Sequence, residues 1–292
     1  MLDDVSSSGE RVRAAEVIAA LSLATDLGIG VPLEHGLHST LFAMRLCQRL
    51  GIGSETASHT YYGCLLFYVG CTAQAGTAAK IFGDETALTT YATSSRFGSR
   101  PEMISGMMRA VAPPGSSKLV RAAQLAHGLP RLAREFKGVV ASICEVAQVL
   151  TDRLGLPAQV SALFAHAGER WDGKGEPGRV RRDGVPLPVR IVQVARDAAF
   201  QRMLGGEEFA AGVVRARAGG AFDPAFAERL ADEATEILAL DTGASVWEET
   251  LACEPYPRLV LDGDAIDRAL AAMQHGLVAW GEVPIARAVG RS

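Results

Sequence analysis

The chain has 292 residues, enough for one large or two ordinary domains with a sizeable core. Hydrophobic residues make up 48%, charged residues 21%, and the net charge is −4, so there is no global electrostatic case for nucleic acid or an anionic membrane as partner. No apolar run of about 18 residues predicts a membrane span, the acidic start Met1-Leu2-Asp3-Asp4 lacks a signal-peptide pattern, and the five irregularly spaced cysteines read as reduced thiols of a cytoplasmic protein.

The apolar periodicity is helical almost throughout. Val12, Ala15, Val17, Ile18, Leu21 and Leu23 predict a helix over 10–27, and a second runs over 33–50 to Gly51. Ser54 is placed to N-cap a third helix reaching Val69. Residues 72–93 read as two short helices, and Ala112-Pro113-Pro114-Gly115-Ser116-Ser117 as a breaker. Helices follow over 137–154 and 158–166, then a Gly/Pro-rich loop over 172–188, a helix over 189–203, and a helix over 224–238 opened by the N-cap and N1 pair Asp223-Pro224. Leu259-Val260-Leu261 is the one strand signal. A helix over 263–279 would carry Ile266, Leu270, Met273 and Leu277 as a stripe that needs burial against the body or a second chain.

The chemistry concentrates in Glu169-Arg170-Trp171-Asp172-Gly173-Lys174-Gly175-Glu176-Pro177, followed after a basic loop by Val185-Pro186-Leu187-Pro188-Val189-Arg190-Ile191. This resembles the segment that gives HD-GYP phosphohydrolases their name, HHExxDGxGYP, a short loop and IPLxxRI. The likeness extends over about residues 10–275. It implies an all-α, HD-domain-like helical bundle in which His and Asp side chains hold two or three metal ions that activate water for attack on phosphorus.

Position by position, the ligands of that family are missing. His35, which leads to Leu50-Gly51-Ile52, matches the first histidine and is the one vestigial metal candidate. The family's LLHDIGK run corresponds to Leu65-Leu66-Phe67-Tyr68-Val69-Gly70-Cys71, so Phe67 and Tyr68 stand where the His-Asp pair belongs. Neither can replace an imidazole or a bridging carboxylate. Around Ser142-Ile143-Cys144-Glu145-Val146 there is no histidine. The paired histidines are Ala167 and Gly168, with His166 one residue early, and the last aspartate is Arg196, followed by Asp197. Glu176 replaces the tyrosine of GYP. The run Gly70-Cys71-Thr72-Ala73 is similar to one that replaces the HD signature in a branch of actinobacterial regulators.

Other residues admit two readings. His35 and His38 lie at ligand-compatible i, i+3 spacing, with His59 as a further imidazole, or all are ordinary helix histidines. Cys64 and Cys71, seven apart, are packing thiols or, for Cys71, a group at the former metal pocket. Lys174, Arg179, Arg181 and Arg182 are a phosphate or ligand loop, or a solvated face. Trp171 is a lid over the core, or a surface for a base or a partner. A buried Arg196 requires a counter-charge, for which Glu169 or Asp172 is the expected source.

The expectation is therefore an N-terminal helix over 1–30, a degenerate HD-GYP-like domain over 31–240, and an extension or linker remnant over 241–292. The former-site pocket comprises His35, Phe67, Tyr68, Cys71, His166, Glu169, Asp172 and Arg196, without catalytic residues, metal or cofactor. The resemblance implies a regulatory or scaffolding pseudoenzyme of bacterial signalling. Its partner would be a protein or a second copy, with a small molecule or nucleotide as possible ligand, and neither direct nucleic-acid binding nor a membrane. The alternatives are a working metal-dependent phosphohydrolase or cyclic-dinucleotide phosphodiesterase using His35, His38, Glu145, His166 and Asp197, and a part of a transcriptional regulator.

Overall fold

The N-terminal helix α1 (Ala14–Ile29) runs against α2 (His35–Arg49) so closely that a Cβ on Gly36 would lie 2.1 Å from Ser22 Oγ. This is a computed structural model, and it describes residues 12–29, 31–70, 99–111, 145–240 and 243–261, with isolated positions within 117–126 and 263–271. The contact at Gly36 explains a glycine one residue inside a helix, a position that otherwise costs stability.

Helix α3 (Ser54–Leu65) returns beside α2. Its N-cap is Gly53 rather than Ser54, which is the first helical residue and whose hydroxyl donates to the Tyr256 carbonyl at 2.9 Å. The helix also ends earlier than its apolar run, at Leu65, and residues 66–70 continue as turns. Helix α4 (Arg100–Val111) follows. Residues 145–153 are helical and stop before Gly155, whose φ of +68° suits glycine. Helix α5 (Ala158–Leu163) runs into a 3-10 turn, Phe164–His166.

The longest element is α6 (Leu187–Arg215), which packs on α2, on α3 and on α7 (Pro224–Asp232). Its start matches the sequence reading, but the helix continues past 203 through a kink at Gly206, where φ is 84° and ψ −175°. Gly205-Gly206 ends the apolar period, and the helix resumes beyond it to carry Ala210, Ala211 and Val214 into the core. Gly63 of α3 meets α6 and α5 closely: a Cβ there would lie 3.5 Å from Val192 Cγ2 and 3.2 Å from Leu163 Cδ1.

The expected helix over 224–238 divides at Glu233 into α7 and the single turn α8 (Ala234–Ile237). Asp223 caps it as expected, accepting from the Ala225 N–H at 3.0 Å. Helix α9 (Val246–Ala252) packs on α2 and α1, and strand β2 (Val260–Leu261) pairs antiparallel with β1 (Val12–Arg13), a partner the sequence did not suggest. Buried Glu254 fastens this corner, accepting from the Tyr62 hydroxyl at 2.7 Å and from the Arg13 Nε at 3.1 Å. The core between these elements includes Leu37, Phe42, Leu46, Tyr61, Leu65, Leu154, Ile191, Phe222 and Leu230. The readings at 72–93 and at Ile266, Leu270, Met273 and Leu277 lie outside the described residues.

Candidate functional site

Three elements bring the pocket together. Helix α2 supplies His35 at its first turn, the turn after α3 supplies Phe67 and Tyr68, and α6 supplies Arg196 and Phe200. His35 is fully buried. Its Nε2 lies 3.2 Å from the Arg196 carbonyl, and its ring meets Tyr68 and Phe200 edge-on with centroids 5.4 and 5.8 Å apart. A carbonyl oxygen can only accept, so Nε2 carries the proton and donates it, while Nδ1 has no hydrogen-bond partner. Burial first, and the Arg196 charge second, push the His35 pKa down to about 3, so the imidazole is neutral at ordinary pH.

Arg196 finds aromatic faces. Its guanidinium sits 4.5 Å from the Phe67 centroid and 5.5 Å from that of Tyr68, and Nη1 donates to the Tyr68 hydroxyl at 2.8 Å. The expected pairing of Arg196 with Glu169 or Asp172 is not formed, because both carboxylates have other work. Fully buried Glu169 accepts from the Gly178 N–H at 3.1 Å and the Arg179 N–H at 2.8 Å. Asp172 accepts from Arg170 Nη2 at 2.7 Å and from the Lys174 N–H at 3.0 Å. Partial burial works against the Asp172 carboxylate, but the Arg170 bond and charge hold its pKa below the ordinary value.

The motif loop is thus a separate, closed construction. The Glu176 N–H donates to the Gly168 carbonyl at 2.9 Å, and the Trp171 and Asp172 N–H groups donate to Ala221 and Gly220 at 3.2 and 2.9 Å. A Cβ on Gly168 would lie 2.5 Å from the Glu176 oxygen; one on Gly175 would lie 2.3 Å from the Gly168 oxygen and 2.6 Å from the Arg170 nitrogen. Gly168 is thus a point of backbone contact. Gln193 of α6 donates to the Glu169 carbonyl at 2.5 Å and ties the loop to the helix that carries Arg196. Half-buried Trp171 packs under Arg190, whose guanidinium lies 5.6 Å from the indole and bonds Asp223 at 2.8 Å and Asp183 at 2.9 Å. Lys174, Arg179, Arg181 and Arg182 are all exposed.

The remaining candidate ligands are dispersed. His38 is buried and stacks on Phe42 with centroids 6.1 Å apart; burial, then the Arg202 charge, lower its pKa to about 4. Half-buried His166 closes the 3-10 turn with a buried Nδ1 that has no partner, and Glu145 is exposed. Asp197 is buried in an ion pair with Arg217 at 2.8 Å. Among the described residues no group of three or more His, Cys, Asp or Glu is placed to hold a metal ion, and a cation stands beside the buried imidazole. Cys64 is buried, and burial raises its thiol pKa well above the ordinary value, which makes it unreactive. Cys71 and Cys144 lie outside the described residues.

Sequence reasoning missed Phe200, Gln193, Arg190 and Arg217. Gln193 and Asp197 carried a usable signal: polar residues four apart on an apolar helix need buried partners.

One solved structure with a similar fold is a cyclic GMP-AMP-specific phosphodiesterase of V. cholerae, V-cGAP3. It matches with a TM-score of 0.65 and 17% identity over 92% of this chain and 61% of that one. The likeness shows an all-α, HD-domain-like bundle, and the chain spans about three-fifths of the length of that protein. No protein-family model matches the chain, and no curated protein matches it.

Proposed function

We propose that this chain is a catalytically degenerate HD-GYP-like module that serves bacterial signalling by binding rather than by hydrolysis, as a regulator or scaffold. In this reading residues 1–30 supply a packing helix, 31–240 the module proper and 241–292 an extension. The observation that carries the proposal is the pocket filling: Arg196 stacked on Phe67, bonded to Tyr68 and set beside neutral His35. A guanidinium keeps its charge at any working pH. Two divalent ions placed a few ångströms from it would meet repulsion that a single imidazole cannot offset.

The partner in this proposal is a protein or a second copy of the chain. Because the similar structure is named for cyclic GMP-AMP, a cyclic dinucleotide is a ligand class to test for binding. No helix among the described residues is long and apolar enough to cross a membrane.

Elemental analysis of the purified protein, with a bis(p-nitrophenyl) phosphate assay in added manganese, tests this reading. It expects well under one equivalent of manganese, iron or zinc and no metal-dependent turnover. A stoichiometric dinuclear centre, or turnover lost on His35→Ala, would favour the rival phosphohydrolase instead. Salt-dependent retention on DNA would favour the transcriptional reading.

A further inference from the structure

The exposed cations of the motif loop are not used by the pocket or by the fold. Lys174, Arg179, Arg181 and Arg182 fall within nine residues, and none of their side chains forms an ion pair among the described residues. The nearby acids offset them only in part. Asp172 is engaged by Arg170, Asp183 shares Arg190 with Asp223, and Glu169 is buried under the loop, so residues 174–182 carry four exposed cations and one exposed acid, Glu176. On a chain of net charge −4 this is a segregated patch of positive charge.

The patch is also held in a fixed shape. Glu169 grips the Gly178 and Arg179 N–H groups, and the Arg182 N–H donates to the Trp171 carbonyl at 2.9 Å. Gly173, at φ +75°, lets the Arg181 stem lie across it, since a Cβ there would be 3.1 Å from Arg181 Cβ. Between the two arginines, Val180 turns inward onto Leu163, Val185 and Val189. Arg181 itself is extended, at φ −148° and ψ 159°. Arg179 and Arg181, both exposed and with Val180 turned inward between them, therefore share the outer face of the loop, roughly 6–7 Å apart. Alternate side chains of another extended strand have that same spacing.

We propose that the outer face of residues 174–182 is a docking surface for an acidic, extended segment of a partner protein. The proposal deepens the association half of the function above and rests on it. A rigid patch loses little ordering entropy on binding, and its charges speed encounter with an acidic partner. A nucleic acid fits less well. Its charges continue past so short a patch onto a chain with a net negative charge, where repulsion cancels the gain.

The test uses the full-length chain and a fluorescently labelled peptide of about a dozen residues in which Glu and Ser alternate, read by anisotropy across a salt series. The expected result is binding that weakens with salt and falls at least tenfold in the double variant Arg179→Glu/Arg181→Glu, while Arg109→Glu/Arg153→Glu, the same charge change at exposed positions elsewhere, leaves it unaltered. Circular dichroism checks the fold. Should the reversal fail to fold, Arg179→Gln/Arg181→Gln gives the same reading with a smaller loss. Absence of salt-dependent peptide binding, or undiminished binding in both double variants, overturns the proposal, as does tighter binding of a thymidylate oligomer of equal length. Phosphodiester turnover in the same preparation would instead sink the proposed function, while the peptide result would stand.

Discussion

The motif loop and the pocket, read as one site from sequence, are built on opposite principles. In the loop, polar groups serve the backbone: Glu169 binds two N–H groups, and Gly168 and Gly175 let two stretches of main chain touch. In the pocket, side chains serve one another, with an imidazole, a guanidinium and the rings of Phe67, Tyr68 and Phe200 in mutual contact. The comparison teaches which parts of a motif belong to the fold and which to chemistry. Loop residues hold main chain in place, and pocket residues fill space between three elements.

The largest test falls on the pocket side and uses pH. His35 and His38 have folded pKa values near 3 and 4, below the ordinary 6.5, so their contribution is fully present above pH 6.5 and lost as pH falls toward 3. Buried Asp26, which accepts from the Gly36 N–H at 3.2 Å, is pushed up to about 7 by burial; its contribution is present below about pH 4 and lost as pH rises through 7. Two histidines outweigh one aspartate, so stability should fall between pH 6.5 and 3 by a net amount on the order of 4 kcal/mol. Asp26→Asn removes the offsetting group and should make the acid loss roughly twice as large. Denaturant titrations across pH check both. His35 or His38 signals titrating near pH 6.5 in NMR would mean that the pocket is open, and would erase the contrast with the loop.

Gly175→Ala tests the loop side. Its Cβ would meet three backbone atoms between 2.3 and 2.7 Å away, none of which can swing aside, so we expect a loss of about 3 kcal/mol in urea unfolding. Glu169→Gln should cost roughly 1.5–3 kcal/mol, because one of two N–H groups loses its acceptor and the other loses a charged one. Amide exchange at Gly178 and Arg179 should accelerate in that variant. A silent Glu169→Gln would mean that the carboxylate is kept for something other than the loop.

Tyr68→Phe should cost about 1 kcal/mol, the value of one hydroxyl acceptor for Arg196. Tyr68→Asp places a carboxylate in the turn after α3, where Tyr68 lies half-buried beside Arg196, so the carboxylate has a counter-charge and the cost reduces to lost ring packing. We expect a stable variant without phosphodiesterase activity; measurable metal-dependent turnover would show that the pocket is close to competent.

Much of this was legible in the chain and some was not, for physical reasons. The helical class, the Asp223-Pro224 start and the strand at Val260-Leu261 followed from period, capping chemistry and local composition. The kink at Gly206 and the early end of α3 did not, because packing sets where a helix bends or stops within an apolar run. In the pocket, the need of Arg196 for company was legible but its identity was not. Carboxylates near in sequence looked available, and the backbone N–H groups that claim Glu169 appear once the loop is folded. Pairing across 241 residues between Arg13 and Glu254 is likewise invisible to any local pattern.

The smallest test sharpens the same comparison through a glycine that has no such duty. Gly212 lies exposed in α6 beyond the kink, and a Cβ there would meet nothing within 4 Å. Unlike Gly206, with φ +84°, its backbone is helical. Alanine at that position removes unfolded-chain freedom and favours the helix, so Gly212→Ala should stabilise by about 0.5–1 kcal/mol, seen as a small rise in the urea midpoint. The opposite signs at Gly175 and Gly212 separate glycine held by backbone contact from glycine that is incidental. If Gly212→Ala destabilised as well, the second half of α6 would be packed against something other than the described residues, and the contrast between a constrained loop and a permissive helix would have to be redrawn.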